Sequence, residues 1–238
     1  MRIEQRIKFL KDALRESGAK GFVVGNSGGK DCALVLYLAK QAAPDNVLGV
    51  MMPCGSVRNY TSDIRDANAV AQWLGIENIQ VDLTPVREQL LKAMPAVHCP
   101  LAISNIAPRL RMTTLYALAQ SRGYLVAGTG NLSEWSVGYF TKWGDGAFDV
   151  NPIADMTVKE VLNALKRLGA PQEVYTKAPS AGLYEGQTDE AELGVSYDAV
   201  EEYIKKGANA ALPAEIFQRI DALNKKTAHK RDLGKRFS

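Results

Sequence analysis

The stretch GFVVGNSGGKDCALVLYLAKQ (21–41) decides the fold that this sequence predicts. Its first five residues, GFVVG (21–25), form a short apolar run that is typical of a buried strand. The glycine-rich turn that follows, GNSGGKDC (25–32), opens a segment with helical character. In an open parallel sheet, ligands bind where a strand gives way to its helix, so this turn is also the first candidate site.

Strand and helix patterns alternate beyond this turn. Three further apolar runs predict strands: VLGVMM (47–52), IQVDL (79–83) and YLVAG (124–128). Segments with helical periodicity separate these runs, as in parallel β-α-β units. We therefore expect a doubly wound, Rossmann-like parallel α/β sheet over about residues 20–170, with right-handed crossovers.

The remainder of the chain predicts a helical C-terminal extension over about residues 171–238. Its first part, 171–194, is rich in glycine and proline, and two helices are predicted at about 196–206 and 213–226. The sequence contains no recognisable internal repeat or domain linker. We therefore expect residues 1–238 to form a single domain.

Composition excludes several classes of protein. Hydrophobic residues make up 46% and charged residues 23% of the 238 residues, which is typical of a globular domain. No apolar run approaches the roughly 18–20 residues of a membrane span, and the N-terminus has no signal-peptide pattern. We therefore expect a cytoplasmic protein without a membrane partner. The three cysteines are too far apart to predict a disulfide framework or a zinc site: Cys32, Cys54 and Cys99.

The basic excess of the chain lies in its C-terminal tail. Of the net charge of +3, residues 225–238 contribute +5 and residues 1–224 contribute −2. Because the body of the protein is slightly acidic, we expect no broad nucleic-acid surface and no nucleic-acid partner.

The glycine-rich turn has the composition of a phosphate-binding loop. The backbone N–H groups of residues 27–29 precede a helix N-terminus, where the helix dipole favours an anion. Asp31 lies in the first helical turn, and its carboxylate suits the Mg²⁺ that accompanies ATP. Lys30 opposes the helix dipole unless an anion lies nearby, which favours the same interpretation. The alternative is an ordinary glycine turn in which Asp31 is only a helix-start charge.

This turn resembles the SGGxDS loop of the ATP pyrophosphatases, with Cys32 in place of the usual last serine. The Walker and GxGxxG patterns are absent. Six further stretches, in order along nearly the whole chain, are similar to the ammonia-dependent NAD synthetases: NIAPRLRM (105–112), GTGNLSE (128–134), GYFTKWGDGAFDVNP (138–152), KAPSAGL (177–183), TDEAELGVSYD (188–198) and AHKRD (228–232). The resemblance implies an adenine nucleotide alpha hydrolase-like fold.

The resemblance implies a ligase that forms a C–N bond. The expected reaction is ATP-dependent amidation of nicotinic acid adenine dinucleotide (deamido-NAD) to NAD with ammonia. It proceeds through an adenylated intermediate and releases AMP and pyrophosphate. Mg²⁺ is the implied cofactor, ATP the co-substrate, and a homodimer the implied assembly. A fused glutaminase would need well over about 100 further residues, so we expect free ammonia or ammonia from a separate glutaminase.

The resemblance also implies roles for individual residues. The implied ATP-binding residues are Gly25, Asn26, Ser27, Gly28, Gly29, Lys30, Asp31, Cys32, Thr129 and Ser180. The implied Mg²⁺ ligands are Asp31 and Glu134. The implied deamido-NAD contacts are Arg109, Lys142, Asp149, His229 and Lys230. Three of these residues are the expected catalytic residues: Asp31, Lys142 and Asp149.

One position departs from the family pattern. The ATP-binding lysine that the family carries after Thr157 is replaced here by Val158, and Lys159 follows. Either Lys159 substitutes for the missing lysine, or that contact is lost.

Structural interpretations stay open for several of the candidate residues. Glu134 lies three residues after Asn131, as in a capping box at a helix start. Asp149 fits a turn position. The remaining candidates fit solvated charges equally well on type alone: Arg109, Lys142 and His229.

Two other functions stay open. One is a tRNA thiolase of the same superfamily, against which stand the unpaired cysteines and the acidic body of the chain. The other is a catalytically silent nucleotide-binding or RNA-binding module, against which stand the intact Asp31 and Glu134. Pyrophosphate release, measured with deamido-NAD plus ammonia and separately with tRNA, distinguishes these functions.

Overall fold

A parallel four-stranded sheet forms the centre of the computed structural model, which describes residues 2–94, 97–176, 188–232 and 234. The strands, in sheet order, are β3 (Glu77–Gln80), β2 (Val47–Met51), β1 (Phe22–Gly25) and β4 (Leu125–Val126). Since β2 and β4 pair with opposite sides of β1, the strand order reverses there. A crevice for a ligand forms at such a reversal, at the carboxyl ends of the strands.

Helices connect and cover the strands. In chain order they are α1 (Ile3–Ser17), α2 (Lys30–Ala42), α3 (Val57–Tyr60), α4 (Ser62–Leu74), α5 (Thr84–Ala93), α6 (Pro100–Ser104), α7 (Ile106–Arg122), α8 (Leu132–Val137), α9 (Val158–Arg167), α10 (Gln172–Thr176), α11 (Asp189–Leu193), α12 (Tyr197–Lys206) and α13 (Ala214–Lys226). Two short 3₁₀ turns follow α12 and α13, at Gly207–Asn209 and Ala228–Lys230.

Both faces of the sheet are buried. Phe22 and Val24 pack with α1, α2 and α9 in one apolar cluster. Val23 points to the other face and packs in a second cluster with Ala119 of α7. Because helices cover both faces, β1 is apolar throughout rather than alternating with polar residues. The prediction of a doubly wound α/β fold is confirmed.

The C-terminal part of the chain forms a separate apolar cluster. Its buried members include Val137 of α8, Val158 of α9, Val200 of α12 and Ile220 of α13. The predicted helices at about 196–206 and 213–226 are α12 and α13. A helical extension therefore packs beside the sheet.

Several elements differ from the sequence prediction or were not predicted. The strand predicted at 79–83 is β3 at Glu77–Gln80, because this edge strand is partly exposed and carries no clear apolar signal. The capping box that the sequence left open for Asn131 and Glu134 is present and starts the short helix α8, and a second one, which was not predicted, starts α9 at Thr157. A capping box fixes a helix too short to be found by periodicity. Among the described residues, no helix is long and apolar enough to cross a membrane.

Candidate active site

A cavity of about 510 Å³ opens at the carboxyl ends of β1, β2 and β4, where the strand order reverses. Its volume is in the range of small-molecule sites. The lining includes distant parts of the chain: the glycine-rich turn, residues 50–53 at the end of β2, residues 126–130 at the end of β4, part of α7, part of 138–147, Asp189 and Lys230. A cavity therefore lies where the sequence predicted the site.

The glycine-rich turn lines the cavity with all of its residues except Gly28. Gly28 has a φ of 71° and packs against α4, where a Cβ atom would lie 2.6 Å from the backbone nitrogen of Ala67. Its N–H donates to Asn26 Oδ1 at 3.1 Å, and Asn26 Nδ2 donates to the carbonyl oxygen of Ala67 at 2.9 Å. This N–H is therefore engaged within the protein, contrary to the expectation that it faces an anion. The N-terminus of α2 has no side-chain cap and is the candidate anion site.

Gly28→Ala is expected to lower the free energy of unfolding by about 2–4 kcal/mol, because it combines a left-handed backbone with a clash against α4. Gly29→Ala is the matched control, since Gly29 has a φ of −83° and its Cβ would meet only Ser27 Oγ, at 3.3 Å. It should lower the free energy of unfolding by less than about 1 kcal/mol. Urea unfolding measures the free energy of unfolding of both variants. An equal decrease in the two variants would show that the backbone conformation and packing of Gly28 are not the cause.

A cluster of charged side chains lies beside the turn. Lys30 is only 7% exposed, and its Nζ lies 2.7 Å from Asp31 Oδ2. Asn131 Nδ2 donates to Asp31 Oδ1 at 3.2 Å, and the backbone nitrogen of Asn131 donates to Glu134 Oε2 at 3.1 Å. Asn131 thus joins the helix start of α8 to the first turn of α2. Glu134 therefore belongs both to the capping box of α8 and to a pair of carboxylates with Asp31.

The charges in this cluster shift one another's pKa values. Burial lowers the pKa of Lys30, but the attraction of Asp31, Glu134 and Asp189 outweighs burial and holds that pKa above its ordinary value. Burial and the nearby Asp31 carboxylate raise the pKa of Glu134, and Lys30 partly offsets this. The cluster has an excess of negative charge and favours a further cation.

Asp31 and Glu134 fit a Mg²⁺ ion that is shared with a phosphate ligand. Mg²⁺ usually takes one or two carboxylates from the protein and completes its shell with substrate phosphates and water. Within the described parts of the chain, no group of three or more His, Cys, Asp or Glu side chains is arranged to hold a metal alone. Two carboxylates beside a phosphate loop match the first arrangement.

Arg111 lines the cavity and was not predicted as a site residue. Its Nε donates to the carbonyl oxygen of Met52 at 3.1 Å, and its Nη2 donates to Asn59 Oδ1 at 3.2 Å. Burial lowers its pKa. These contacts fix a cation on the cavity wall formed by α7.

The segment 138–147 forms another wall and folds on itself around Thr141. The Thr141 N–H donates to Asp145 Oδ1, and the Thr141 carbonyl accepts from the N–H groups of Gly144 and Gly146. Trp143 adopts a φ of 62°, a left-handed conformation that is rare for a bulky residue. Asp145, also missed by the sequence prediction, faces the cavity.

His229 and Lys230, near the C-terminus, form hydrogen bonds with this wall. Lys230 Nζ donates to the carbonyl oxygens of Gly138 and Phe140, both at 2.8 Å. Lys142 Nζ donates to the carbonyl oxygen of His229 at 2.6 Å. Burial lowers the pKa of Lys230. The predicted substrate contact Lys230 therefore also holds the cavity wall.

The structure brings only some of the predicted residues to the cavity. Thr129, Glu134 and Lys230 line it together with the glycine-rich turn. Four predicted contacts are not among the lining residues: Arg109, Lys142, Asp149 and His229. Ser180 lies outside the described residues.

Two of the residues away from the lining have clear structural partners. Arg109 Nη2 donates to the carbonyl oxygen of Lys142 at 3.2 Å. The Asp149 carboxylate accepts from the Val126 N–H at 2.8 Å and from the Tyr116 hydroxyl at 3.3 Å. Asp149 therefore anchors β4, and its role in substrate binding stays a prediction.

Val158 and Lys159 lie where the sequence departs from the family pattern. Val158 is buried in the C-terminal cluster, and its N–H donates to Ser133 Oγ at 3.2 Å. Lys159 is exposed, with its N–H bonded to Glu201. Neither residue lines the cavity. The positions of both residues favour the alternative in which that contact is lost.

Known proteins resemble this chain over nearly its whole length. A sequence model of the NAD synthase family matches residues 2–234. An NH(3)-dependent NAD(+) synthetase of Carboxydothermus hydrogenoformans is 43% identical over 234 residues, which cover 97% of this chain and 94% of that protein. The solved structure of an NMN synthetase from Francisella tularensis matches with a TM-score of 0.92 and 34% identity, over 98% of this chain and 96% of that one. An NH3-dependent NAD synthetase from Campylobacter jejuni matches with a TM-score of 0.83 and 26% identity, over 99% and 97%.

Proposed function

This chain belongs to the NAD synthase family, and we propose that its cavity amidates deamido-NAD to NAD with ATP and ammonia. The activity is that of a ligase that forms a C–N bond, with ATP as co-substrate. The observation that carries the proposal is the meeting of the phosphate loop, Asp31 and Glu134 in one cavity.

The reaction needs an activated carboxylate, because a carboxylate is a poor electrophile. An oxygen of the nicotinate carboxylate attacks the α-phosphorus of ATP, and the bond from that phosphorus to pyrophosphate breaks. The nitrogen of ammonia then attacks the acyl carbon of the adenylate. The bond to the AMP oxygen breaks, the nitrogen loses a proton, and the amide remains.

The chain's own residues supply binding, charge and exclusion of water. The N-terminus of α2 binds phosphate oxygens through backbone N–H groups. Asp31 and Glu134 would hold Mg²⁺, which supplies charge neutralisation on the departing pyrophosphate. The wall 138–147, held by Lys230, shields the adenylate from hydrolysis.

Several finer assignments rest on the family resemblance and are part of the proposal. They are a homodimer, a cytoplasmic location, ammonia delivered free or by a separate glutaminase, Thr129 and Ser180 as ATP contacts, and deamido-NAD contacts at Arg109, Lys142, Asp149, His229 and Lys230. The contacts Arg109–Lys142 and Lys142–His229 support a common role for these three residues beside the cavity.

The similarity to an NMN synthetase favours a second candidate function, amidation of nicotinic acid mononucleotide. The reacting carboxylate and the adenylation are the same for both acceptors. The two acceptors differ only in the AMP unit, which the dinucleotide carries and the mononucleotide lacks.

Amidation of the two acceptors is the test. The purified protein is supplied with ATP, Mg²⁺ and ammonium plus deamido-NAD or the mononucleotide, and the amide product and pyrophosphate are quantified. We expect NAD, with a kcat/KM at least about tenfold higher for deamido-NAD, a difference of about 1.4 kcal/mol. The reverse preference supports the second candidate. Both candidate functions are contradicted if pyrophosphate is released only with tRNA, or if neither acceptor leads to its release.

A further inference from the structure

Asn26 is a buried polar residue of the glycine-rich turn, with a side chain that is only 3% exposed. Its Oδ1 accepts from the N–H of Gly28 at 3.1 Å, and its Nδ2 donates to the carbonyl oxygen of Ala67 at 2.9 Å. Because a backbone N–H can only donate and a carbonyl can only accept, these two bonds fix the direction of the amide. The second hydrogen of Nδ2 needs a further acceptor, since an unpaired buried donor is costly.

Asn78 supplies that acceptor from the edge of the sheet. It lies on β3, two strands away from β1, and its Oδ1 accepts from Asn26 Nδ2 at 3.2 Å. Its own Nδ2 donates to Asn68 Oδ1 of α4 at 3.1 Å. Three asparagines thus form a chain of hydrogen bonds from the surface of α4 to the turn. Asn78 does not line the cavity, so it can affect a bound ligand only through Asn26.

Gly49 leaves the space that this chain of hydrogen bonds crosses. It lies on β2, between β3 and β1, and its register partner on β3 is Asn78. A Cβ atom at position 49 would lie 2.5 Å from Asn78 Oδ1 and 3.5 Å from Asn26 Nδ2. Glycine weakens the interior of a strand and often marks the close approach of another group. Here the group that approaches is the Asn78 amide.

We propose that Asn78 is a positioning residue for nucleotide binding, and that it acts through Asn26 across the space left by Gly49. This inference rests on the proposed use of ATP. The bond from Asn78 keeps the Asn26 amide in place, and that amide in turn holds Gly28 against α4. The backbone N–H groups at the N-terminus of α2 are therefore oriented before an anion binds, which reduces the cost of ordering them on binding.

Nucleotide binding by Asn78→Ala tests the proposal without turnover. Titration calorimetry measures the Kd of ATP with saturating Mg²⁺ and no acceptor, and the Kd of adenosine as the probe that lacks phosphate. We expect the Kd of ATP to rise about 3–10-fold and that of adenosine to change less than about twofold. Asn46→Ala is the matched control, because Asn46 also accepts a side-chain hydrogen bond, from Tyr124 at 3.0 Å, but precedes β2 at the end away from the cavity. It should change neither Kd.

Gly49→Ala gives a second readout, because its methyl group displaces the Asn78 side chain without removing the amide. The Kd of ATP should rise about as much as in Asn78→Ala. In the double variant Gly49→Ala, Asn78→Ala, the Kd of ATP should stay within about twofold of Asn78→Ala alone, since the displaced amide is already absent. A rise equal to the product of the two single rises would show that Gly49 acts independently of Asn78, and it overturns the proposal.

A purely structural role of Asn78 predicts a different result. It would lower the free energy of unfolding and leave the Kd of ATP unchanged in the folded variant, and that result overturns the proposal. An equal loss of affinity for ATP and adenosine overturns it as well. Circular dichroism checks that each variant folds; if Gly49→Ala does not, the ratio of ATP to adenosine affinity in Asn78→Ala decides.

The amidation assay separates this proposal from the proposed function. A parent enzyme that makes NAD, together with an Asn78→Ala variant that binds ATP like the parent, removes the role of Asn78 and leaves the function intact. A parent whose ATP affinity depends on Asn78 but which amidates neither acceptor keeps the proposal and removes the function. A parent that binds no ATP overturns both.

Discussion

Asp31→Asn is expected to lower kcat for amidation by about 10²–10⁴-fold, because a metal bridge to phosphate supplies several kcal/mol of transition-state stabilisation. The substitution keeps the volume of the side chain and deletes the charge that pairs with Lys30 and faces Glu134. The bond from Asn131 Nδ2 is retained, since an asparagine at position 31 still offers a carbonyl oxygen. The fold should therefore survive.

Steady-state kinetics over a range of Mg²⁺ concentrations measures this effect. Asp45→Asn is the matched control, because Asp45 is exposed just beyond the other end of α2. It should change kcat by less than about twofold. Near-parent turnover of Asp31→Asn at saturating Mg²⁺ would show that Asp31 is not a metal ligand.

The sheet and the glycine-rich turn at its edge could be predicted because their signals are local. The apolar run at 21–25 and the glycines after it lie next to one another in the chain, and the strand–turn–helix order follows directly. The pairing of Asp31 with Glu134 is not local. It exists because β4 pairs with β1, which places the start of α8 beside the start of α2. Only the family resemblance indicated that pairing in advance.

The sequence could not decide which arginine of α7, Arg109 or Arg111, faces the cavity. Arg109 and Arg111 have the same chemistry, and two residues on a helix differ by about 200° in direction. Which of them faces the cavity depends on how α7 packs against the sheet, since α7 carries no clear amphipathic pattern there. The predicted contact was Arg109, whereas the cavity is lined by Arg111. Packing of the whole domain, not residue type, makes this choice.

The basic residues near the C-terminus have structural contacts that residue type alone does not predict. A cluster of lysines and arginines at a chain end is usually solvated, yet Lys230 and Arg231 bond to backbone carbonyls of the segment 135–140. Thr227 packs against Gly138, where a Cβ atom would lie 2.2 Å from the threonine side chain. Residues 227–231 thus pack against the segment 135–140, and the charges of Lys230 and Arg231 hold its backbone.

Lys230→Met is expected to lower kcat/KM for deamido-NAD by about 10–100-fold, because two charge-assisted hydrogen bonds to the cavity wall are lost. The affected segment includes Phe140, whose ring stacks on Trp135 with the ring centroids 4.7 Å apart, and it leads into the turn around Thr141. The KM for ATP should change less than about threefold, since the phosphate loop belongs to a different wall. Steady-state kinetics with each substrate varied in turn measures both effects.

Removal of residues 228–238 extends the same argument to the whole tail. It deletes Lys230 together with the His229 carbonyl that binds Lys142, so the KM for deamido-NAD should rise more than the KM for ATP. Lys225→Met is the control, because Lys225 is exposed and pairs only with Asp221 among the described residues. A truncated protein with native circular dichroism and an unchanged KM for deamido-NAD would remove His229 and Lys230 from the site. A selective rise in that KM would instead tie the basic excess of the chain to the acceptor side of the cavity, and it would decide against the alternative in which His229 is only a solvated residue.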